Sequence, residues 1–449
     1  MKPDTATLRI GTGAGFSGDR IDPAVELCEK GDIDYLIFEC LGERTIALAQ
    51  QAKMSNPSGG FDPLLEARMR AVLPLCVARN IRIITNMGAA NPEAAGAKVR
   101  DIAQSLNITG LKIAVISGDD VSDMIAGSDY HLDEINISVS ELGDRLISAN
   151  AYIGAEPIIE ALELGADVII AGRAADPALF LAPQIHHFGW RMDDWDRLGR
   201  GTIVGHLLEC AGQITGGYFA DPGKKDVPRL AELGFPLAEI NSEGDAIITK
   251  VEGSGGMVSE ATCKEQLLYE IHDPSCYLQP DVIADITAAT LVSVGPDRVK
   301  ISGCKGHPRT EKLKVSVGYF DSWTGEGQIT YAGPGCVERG NLALDILKHR
   351  LEKSDIDYSE IRGELIGLNS VSGSQMTSNV APYEVRVRFV GRCKTEDQAK
   401  HVGREVEALY LNGPAGGGGV ITSFRQVIAV ASTLIPKEAV HLSVEILES

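Results

Sequence analysis

The chain has 449 residues, of which 44% are hydrophobic and 23% charged, and this composition is typical of folded globular proteins rather than disordered or fibrous ones. The length exceeds what one ordinary hydrophobic core supports, so we expect two or three domains. The formal net charge of −20 argues against nucleic acid and against an anionic membrane surface as partners, because both attract clustered Lys and Arg.

The nine cysteines are dispersed and form no C-x-x-C motif, which favours reduced thiols over a disulfide framework. The first residues, MKPDTATLRIG, lack the basic and apolar pattern of a secretion signal. No apolar run is long enough to span a membrane. We therefore expect a cytoplasmic protein.

Short apolar runs alternate with amphipathic helical patterns in the first part of the chain. The runs are LRIGTG (8–13), DYLIFEC (34–40), IRIITNM (81–87), KIAVISG (112–118) and DVIIAGR (167–173). Continuous apolar strands separated by helices are typical of a mostly parallel sheet with helices on both faces. The sequence therefore predicts an α/β core.

Polar residues follow these strands, at the edge of a parallel sheet where ligands gather. They are Asp19, Arg20, Glu39, Glu43, Arg44, Asn86, Asn91, Asp119, Asp120, Arg173 and Asp176. We expect a binding site at this edge.

The segment GAGFSG (13–18) matches the G-x-G-x-x-G pattern of dinucleotide-binding proteins. In that fold the helix starts within the motif, so that its N-terminus faces the pyrophosphate. Here Asp22 and Pro23 predict an N-cap and a first helical residue after the motif, and Asp19 would repel a phosphate. We therefore favour a tight glycine turn at the rim of the site, with Gly13 and Gly15 contacting substrate, and disfavour NAD or FAD.

After Gly217 the pattern changes to short strands and one clear helix, SEATCKEQLLYEIHD, which predicts an α+β subregion over residues 218–345 of a core domain, 1–345. Residues 346–449 predict a ferredoxin-like α+β domain, in which Thr395 is the N-cap of a helix and HLSVEILES a closing strand. The glycine-rich GPAGGGG (413–419) indicates either a flexible connection or a closely approached backbone.

On the predicted helix TIVGHLLECAGQ, His206 and Cys210 are four residues apart and therefore share a face, with Glu209 close by. Three interpretations remain open. A His–Cys pair can generate a thiolate nucleophile, and His206, Glu209 and Cys210 can together ligate a divalent metal. Otherwise these residues belong to a buried helix face without chemistry.

Arg173 and Asp176 directly follow an apolar strand. The guanidinium can bind a carboxylate through two hydrogen bonds, and the aspartate can orient it or act as a base. A purely structural ion pair is the alternative. His186, His187 and the acids Asp193, Asp194 and Asp196 are interpreted as structural, since consecutive histidines point in different directions and acids commonly cap helices.

The segment KISGCKGHPRTEKLK is locally basic, and Lys305 within it is a candidate for binding an anionic substrate, although a plain β-hairpin surface is an alternative. Arg20 and Asn86 are further candidates for substrate binding at the strand ends.

Several long segments resemble the acyclic terpene utilisation family AtuA. They are GAGFSGDR, ANAYIGAEPIIEALELGADVIIAGRAADPAL, WDRLGRGTIVGHLLECAGQITGGYF, SGGMVSEATCKEQLLYEIHDPSCYLQPDV and GPAGGGG. The resemblance implies an AtuA core followed by a ferredoxin-like domain. It also implies a role in the catabolism of branched acyclic isoprenoid acids, handled as coenzyme A thioesters, or of related carboxylic acids, without implying catalytic residues.

The leading hypothesis is a hydratase or other carbon–oxygen lyase acting on a branched unsaturated carboxylic acid or its coenzyme A thioester. In it Asp176 or Glu39 is the base, His206 the acid, and Arg173 and Asn86 bind the carboxylate or the developing oxyanion. A non-catalytic ligand-binding subunit and a hydrolase that uses Cys210 are the alternatives. We expect a homo-oligomer and leave the cofactor open, with a divalent metal as one option.

Overall fold

A computed structural model describes residues 7–371, 373 and 382–449. The chain divides into two compact units, Met1–Gly318 with Val430–Ser449, and Tyr319–Ala429. Within the described ranges no helix is long and apolar enough to cross a membrane.

The first unit is built on a ten-stranded mixed sheet. Its strands are, in spatial order, β13 (Thr290–Gly295), β14 (Arg298–Ser302), β10 (Ala246–Lys250), β9 (Pro236–Ile240), β1 (Leu8–Ala14), β2 (Tyr35–Phe38), β3 (Arg82–Thr85), β8 (Val168–Ile170), β4 (Lys112–Ser117) and β20 (Ser443–Glu448). The central strands β1, β2, β3, β8 and β4 pair in parallel. The predicted α/β class is therefore confirmed, and all five predicted apolar runs are strands of the parallel centre.

The parallel strands are buried on both faces because their residues alternate between two cores. Leu36 and Phe38 of β2 belong to one apolar cluster, whereas Tyr35 and Ile37 belong to the other. The helices that complete these clusters are α1 (Asp22–Lys30), α3 (Leu65–Arg79) and α4 (Pro92–Ser105) in the first, and α6 (Glu156–Glu163), α7 (Asp176–Phe188), α8 (Trp195–Glu209) and α9 (Glu260–Leu268) in the second.

The remaining elements of the first unit are peripheral. They are α2 (Glu43–Ser55), α5 (Ser122–Ile125), β5 (His131–Leu132), β6 (Ile137–Ser138), β7 (Leu146–Ala151), β11 (Tyr277–Leu278), β12 (Ile283–Asp285) and β15 (Lys305–His307). Strands β5 and β6 pair with each other, and β11, β12 and β15 form a small sheet.

Antiparallel strands extend the parallel centre at both sides. The strands β9, β10, β14 and β13 come from the predicted α+β subregion, and each pairs antiparallel with its neighbour. On the other side, β20 pairs antiparallel with β4. The segment HLSVEILES was predicted to close the ferredoxin-like domain, and this assignment is wrong because its apolar residues Val444 and Ile446 pack on the core of the first unit.

The second unit follows the order of a ferredoxin-like fold. Its elements are most of β16 (Lys312–Ala332), then α10 (Cys336–Lys353), β17 (Glu360–Ile366), β18 (Glu384–Cys393), α11 (Glu396–Asn412) and most of β19 (Gly418–Pro436), with strand order β17-β18-β16-β19. Thr395 is the N-cap of α11, as predicted, and its hydroxyl accepts a hydrogen bond from the N–H of Gln398. In GPAGGGG, Gly416 and Gly419 have left-handed φ angles of 72° and 66°.

The loop that carries GAGFSG is held by a buried arginine. Helix α1 begins at Asp22, after the glycine motif, with Ile21 rather than Asp22 as its N-cap residue. The carboxylate of Asp19 accepts a hydrogen bond of 2.9 Å from the N–H of Gly15, so the protein's own acid fills the turn. Arg68 donates to the carbonyls of Phe16 and Ser17 at 3.2 and 2.8 Å and pairs with Asp62 at 3.2 Å.

Replacing Arg68 with Met should lower the free energy of unfolding by about 3–5 kcal/mol, because it leaves the Asp62 carboxylate buried and unpaired. Urea denaturation measures this loss. Arg70→Ala on the same helix is the control. The Arg70 side chain is largely exposed, so we expect a change below about 1 kcal/mol. Equal losses in the two variants would contradict a special role for the buried pair.

Candidate active site

A cluster of ionisable side chains lies at the carboxyl edge of the parallel strands. Glu39 follows β2, Asn86 follows β3 and Arg173 follows β8. Asp176 starts α7, while His206 and Glu209 lie in the last turn of α8. The topology thus brings together residues that are up to 170 positions apart in sequence.

Arg173 is the centre of this cluster and has no exposed surface (0%). Its guanidinium donates to the carbonyls of Leu41 and Ala174 and to the carboxylate of Asp176. The guanidinium carbon lies 4.4 Å from the centre of the Tyr152 ring, a cation–π contact. The Arg173 guanidinium is therefore bonded to groups of the protein itself.

Asp119 fixes the main chain at the same point. Its carboxylate accepts hydrogen bonds of 2.9 Å from the N–H of Arg173 and from Asn150 Nδ2. Burial raises the pKa of Asp119 to about 6. A side chain at Gly172 would lie 2.3 Å from this carboxylate, so the strand end accepts only glycine there.

Asp176 is the acid of the cluster with the most access to solvent, since 34% of its side chain is exposed. Burial raises its pKa, and the Arg173 guanidinium opposes that shift. The position at the start of α7 also favours the ionised form, because the helix N-terminus carries partial positive charge. We therefore treat Asp176 as the carboxylate of the cluster.

Glu39 is buried and is held by two donors. Its Oε1 accepts hydrogen bonds of 2.8 Å from Asn86 Nδ2 and from the N–H of Leu41. Burial, and then the charge of Asp176, raises the pKa of Glu39 to about 8, although Arg173 acts in the opposite direction. Glu39 is therefore mostly protonated at neutral pH, next to the Arg173–Asp176 pair.

His206 and Glu209 form a second buried pair. His206 Nδ1 lies 2.9 Å from Glu209 Oε1, and the side chains are 0% and 8% exposed. Burial lowers the pKa of His206 to about 4 and raises that of Glu209 well above its usual value. The imidazole is thus neutral near pH 7. The Tyr277 ring packs against the imidazole at 5.2 Å between ring centres.

Cys210 ends α8 and is partly exposed. Burial, and then the charge of Glu209, raises the pKa of its thiol, so Cys210 is a neutral thiol rather than a thiolate. Throughout the part of the chain that the structure describes, no three His, Cys, Asp or Glu side chains are grouped to hold a metal ion. The candidate ligands His206, Glu209 and Cys210 therefore do not surround one point.

Both predicted glycines line the strand end next to this cluster. A Cβ atom on Gly15 would lie 2.5 Å from the carbonyl carbon of Cys210, and one on Gly13 would lie 2.5 Å from the Phe38 ring. Thr12 of β1 also donates a hydrogen bond of 3.0 Å to the carbonyl of Leu208. The first strand and the end of α8 are therefore in direct contact.

Two predicted substrate-binding residues lie elsewhere. The Arg20 guanidinium pairs with Asp22 and donates to the carbonyl of Leu233. The main chain of Lys305 lies against Gly199 on α8, seven residues before His206 and hence about 10 Å along the helix. The structure does not bring these two residues to the cluster.

A cavity of about 1010 Å³ lies at the opposite, amino edge of the sheet, lined among others by Tyr35, Arg82, Asp167 and His186. It contains none of the groups around Arg173. Asp34 and Asp167 there bind main-chain N–H groups, of Arg9 and Lys112 respectively. The ionisable groups around Arg173 therefore make the carboxyl edge, rather than this cavity, the candidate active site.

Sequence patterns did not indicate several neighbours of the cluster. Tyr152, at the end of β7, contacts both Arg173 and Lys314, whose Nζ lies 4.9 Å from the ring centre. Lys314 pairs with Glu43 at 3.0 Å. Gln266 of α9 donates a hydrogen bond of 2.9 Å to the carbonyl of His206. The run AYIGAEP after a strand was the available signal for Tyr152.

Comparison with known proteins now adds the family. A model of the family described as "Acyclic terpene utilisation family protein AtuA" matches residues 8–446. The chain belongs to the AtuA family. The predicted resemblance is thereby confirmed over nearly the whole chain, and acyclic terpene utilisation is the setting that the family's description gives. No curated protein and no solved structure matches the chain.

In this AtuA-family protein, Gly15→Ala should lower the free energy of unfolding by about 1–3 kcal/mol, because the new methyl group meets the main chain of Cys210. Chemical denaturation provides the measurement. Gly127→Ala is the matched control, since a Cβ there meets nothing within 4 Å. A Gly15→Ala variant as stable as the control would show that β1 and the end of α8 are not closely packed.

The pKa of Glu39 predicts a pH dependence of stability. Because folding raises this pKa from its usual 4.5 to about 8, the folded chain holds a proton that the unfolded chain loses, and stability falls as pH rises between these values. Glu39→Gln keeps an acceptor for Asn86 and removes the titration. As the pH rises from the lower to the upper of these values, the free energy of unfolding of the variant should increase by about 1 kcal/mol or more relative to that of wild type. Urea denaturation at each pH measures this difference. Parallel pH profiles would contradict the raised pKa.

Proposed function

We propose that this AtuA-family protein is a hydratase or other carbon–oxygen lyase acting on a branched unsaturated carboxylic acid or its coenzyme A thioester. The observation that carries the proposal is that Leu41 links the two acids: its N–H donates to Glu39, and its carbonyl accepts from the same Arg173 guanidinium that bonds Asp176. Two carboxyls with different protonation states at the same pH are the arrangement that acid–base enzymes use. The carboxyl edge of the sheet is also where ligands bind in α/β proteins.

The proposed reaction adds water across a carbon–carbon double bond. Asp176 takes a proton from water as the water oxygen bonds to the β-carbon. The electron pair of the double bond forms a new C–H bond at the α-carbon with the proton of Glu39. A proton then passes from Asp176 to Glu39, directly or through solvent, so that the net change is one water added. Dehydration is the reverse.

The proposal gives Arg173, His206 and Asn86 roles that differ from those expected from the sequence. Arg173 is buried and bonded to protein groups, which suits it to position Asp176 rather than to bind a substrate carboxylate. His206 is buried and neutral, so the proposal gives the role of acid to Glu39. Asn86 holds Glu39 and is likewise a positioning residue.

The alternative of a hydrolase that uses Cys210 receives less support. A nucleophilic cysteine needs a lowered thiol pKa, supplied by a nearby cation or helix N-terminus. Cys210 instead has a raised pKa, lies at the end of a helix and has Glu209 as its neighbour. A Cys210→Ser variant should therefore keep its activity.

Asp176→Asn and Glu39→Gln should each lower kcat for hydration of a branched 2-enoyl-coenzyme A by about 10²–10⁴-fold, the usual contribution of a general acid or base. Loss of the conjugated thioester, followed by ultraviolet absorbance, measures turnover. Asp193→Asn removes an exposed carboxylate of the predicted acid cluster and is the control, which we expect to match wild type. Full activity in both site variants would exclude the proposed pair.

The non-catalytic alternative gives a different result in the same assay. A binding subunit would bind the thioester in calorimetry without converting it, whether as wild type or as any of these variants. Turnover by the purified wild-type chain would remove that alternative.

A further inference from the structure

Helices α8 and α9 end close to each other beside the proposed site. The side chain of Gln266 in α9 donates to the carbonyl of His206 in α8, so the last turns of the two helices lie side by side. The segments that leave them, Cys210–Tyr218 and Tyr269–Glu270, therefore start next to each other. Both starting points are within one turn of His206 or Gln266, and hence beside the Glu39–Asp176 region.

Large apolar side chains are exposed in these two segments and at the last residue of α9. Tyr218 is 97% exposed, Leu268 61% and Tyr269 40%. Groups of exposed apolar residues commonly mark a binding surface. Lys225 connects the two segments: its Nζ lies 4.7 Å from the centre of the Phe219 ring and pairs with the carboxylate of Glu265 in α9, so the residue after Tyr218 lies close to the last turns of that helix.

The same segments are strained. Tyr218 has φ 62°, Glu270 φ 60° and Ala211 φ 44°, in the left-handed region that residues with a side chain rarely occupy. A bulky tyrosine in this conformation costs about 1–3 kcal/mol unless the surroundings require it. Tyr218 has almost no intramolecular burial to compensate, so its conformation contributes nothing visible to folding. Left-handed residues of this kind cluster at active sites and ligand-binding positions.

We propose that Tyr218, Leu268 and Tyr269 form an apolar rim that binds the hydrocarbon chain of the substrate while its reacting end lies at Glu39 and Asp176. This inference rests on the proposed function for the position of the reacting end. The occupant follows from continuity with that site: the rim is apolar, whereas the cluster beyond it is polar and ionisable. An acyl group with a long chain and a polar, reactive end fits both surfaces.

Tyr218→Gly separates this role from a structural one. Glycine adopts φ 62° freely, so the variant should raise the midpoint of thermal unfolding by about 1–2 °C. It should also weaken binding of decanoyl-coenzyme A by about tenfold, because the ring no longer covers the chain, while affinity for butyryl-coenzyme A changes less than twofold. Tyr218→Phe should keep wild-type affinity for both, since the apolar ring is retained.

Calorimetry with these saturated thioesters measures binding alone, because they have no double bond to hydrate. Tyr383→Gly is the control, since Tyr383 is 78% exposed in the second unit, and we expect no change in either affinity. Wild type that binds neither probe, or a Tyr218→Gly variant with unchanged affinity for decanoyl-coenzyme A, would overturn the inference. Absence of hydration with intact chain-dependent binding would instead overturn the proposed function and leave the rim in place.

Discussion

A guanidinium with no exposed surface is stable only where all sides of the group meet acceptors, because an unpaired buried charge costs several kcal/mol. Arg173 meets this requirement with two loop carbonyls, one carboxylate and one aromatic face. The carbonyls of Leu41 and Ala174 come from the segments that follow β2 and β8. One side chain therefore fixes the distance between two strand ends, and the positions of Glu39 and Asp176 depend on it.

Arg68 likewise connects separate segments, the glycine loop and the segment that contains Asp62. Arg68 and Arg173 lead the largest fully buried side chains among the described residues. Arg68 holds the carbonyls of the glycine loop and the carboxylate of Asp62, while Asp19 closes the turn at Gly15. Buried cations thus order the loops at the carboxyl edge together with the apolar cluster of Leu41, Ile46, Ala89 and Ala90. The hydrogen bonds of these two arginines hold the polar groups close together with fixed partners.

The pKa shifts in the cluster reflect the presence of one buried cation, Arg173, among several acids. Asp176 takes the direct ion pair with Arg173. Glu39 is bonded to an amide and an N–H, and it feels the negative charge of Asp176, so burial leaves it protonated. Glu209 bonds to a neutral His206, and burial raises its pKa well above the usual value. The pKa shifts therefore follow from burial and from which acid bonds to Arg173, and in the proposed reaction they distinguish the acid from the base.

Sequence patterns were sufficient for the parallel centre of the sheet and for the edge at which the cluster lies, because a buried parallel strand is a continuous apolar run and its end is marked by the first polar residues. They also located Arg173, Asp176, His206 and Glu209. They did not find Tyr152 or Lys314, whose contacts with the cluster come from strands outside the parallel centre. The assignment of β20 failed for a similar reason: nothing in HLSVEILES indicates that its partner is β4, more than 300 residues earlier.

The sequence also could not predict the direction in which each donor points. An arginine after a strand has the same pattern whether it faces a substrate or the protein. Only the carbonyls of Leu41 and Ala174, which come from separate loops, decide that Arg173 is bonded inward. With the cation internal, the Asp176 carboxylate, the Glu43–Lys314 pair and the exposed tyrosines beyond α8 and α9 reach solvent near the cluster. In the proposed complex the reacting end of the substrate meets Asp176 and its remainder meets the apolar tyrosines, and this division favours a molecule whose reacting end can exchange protons and whose remainder is hydrocarbon.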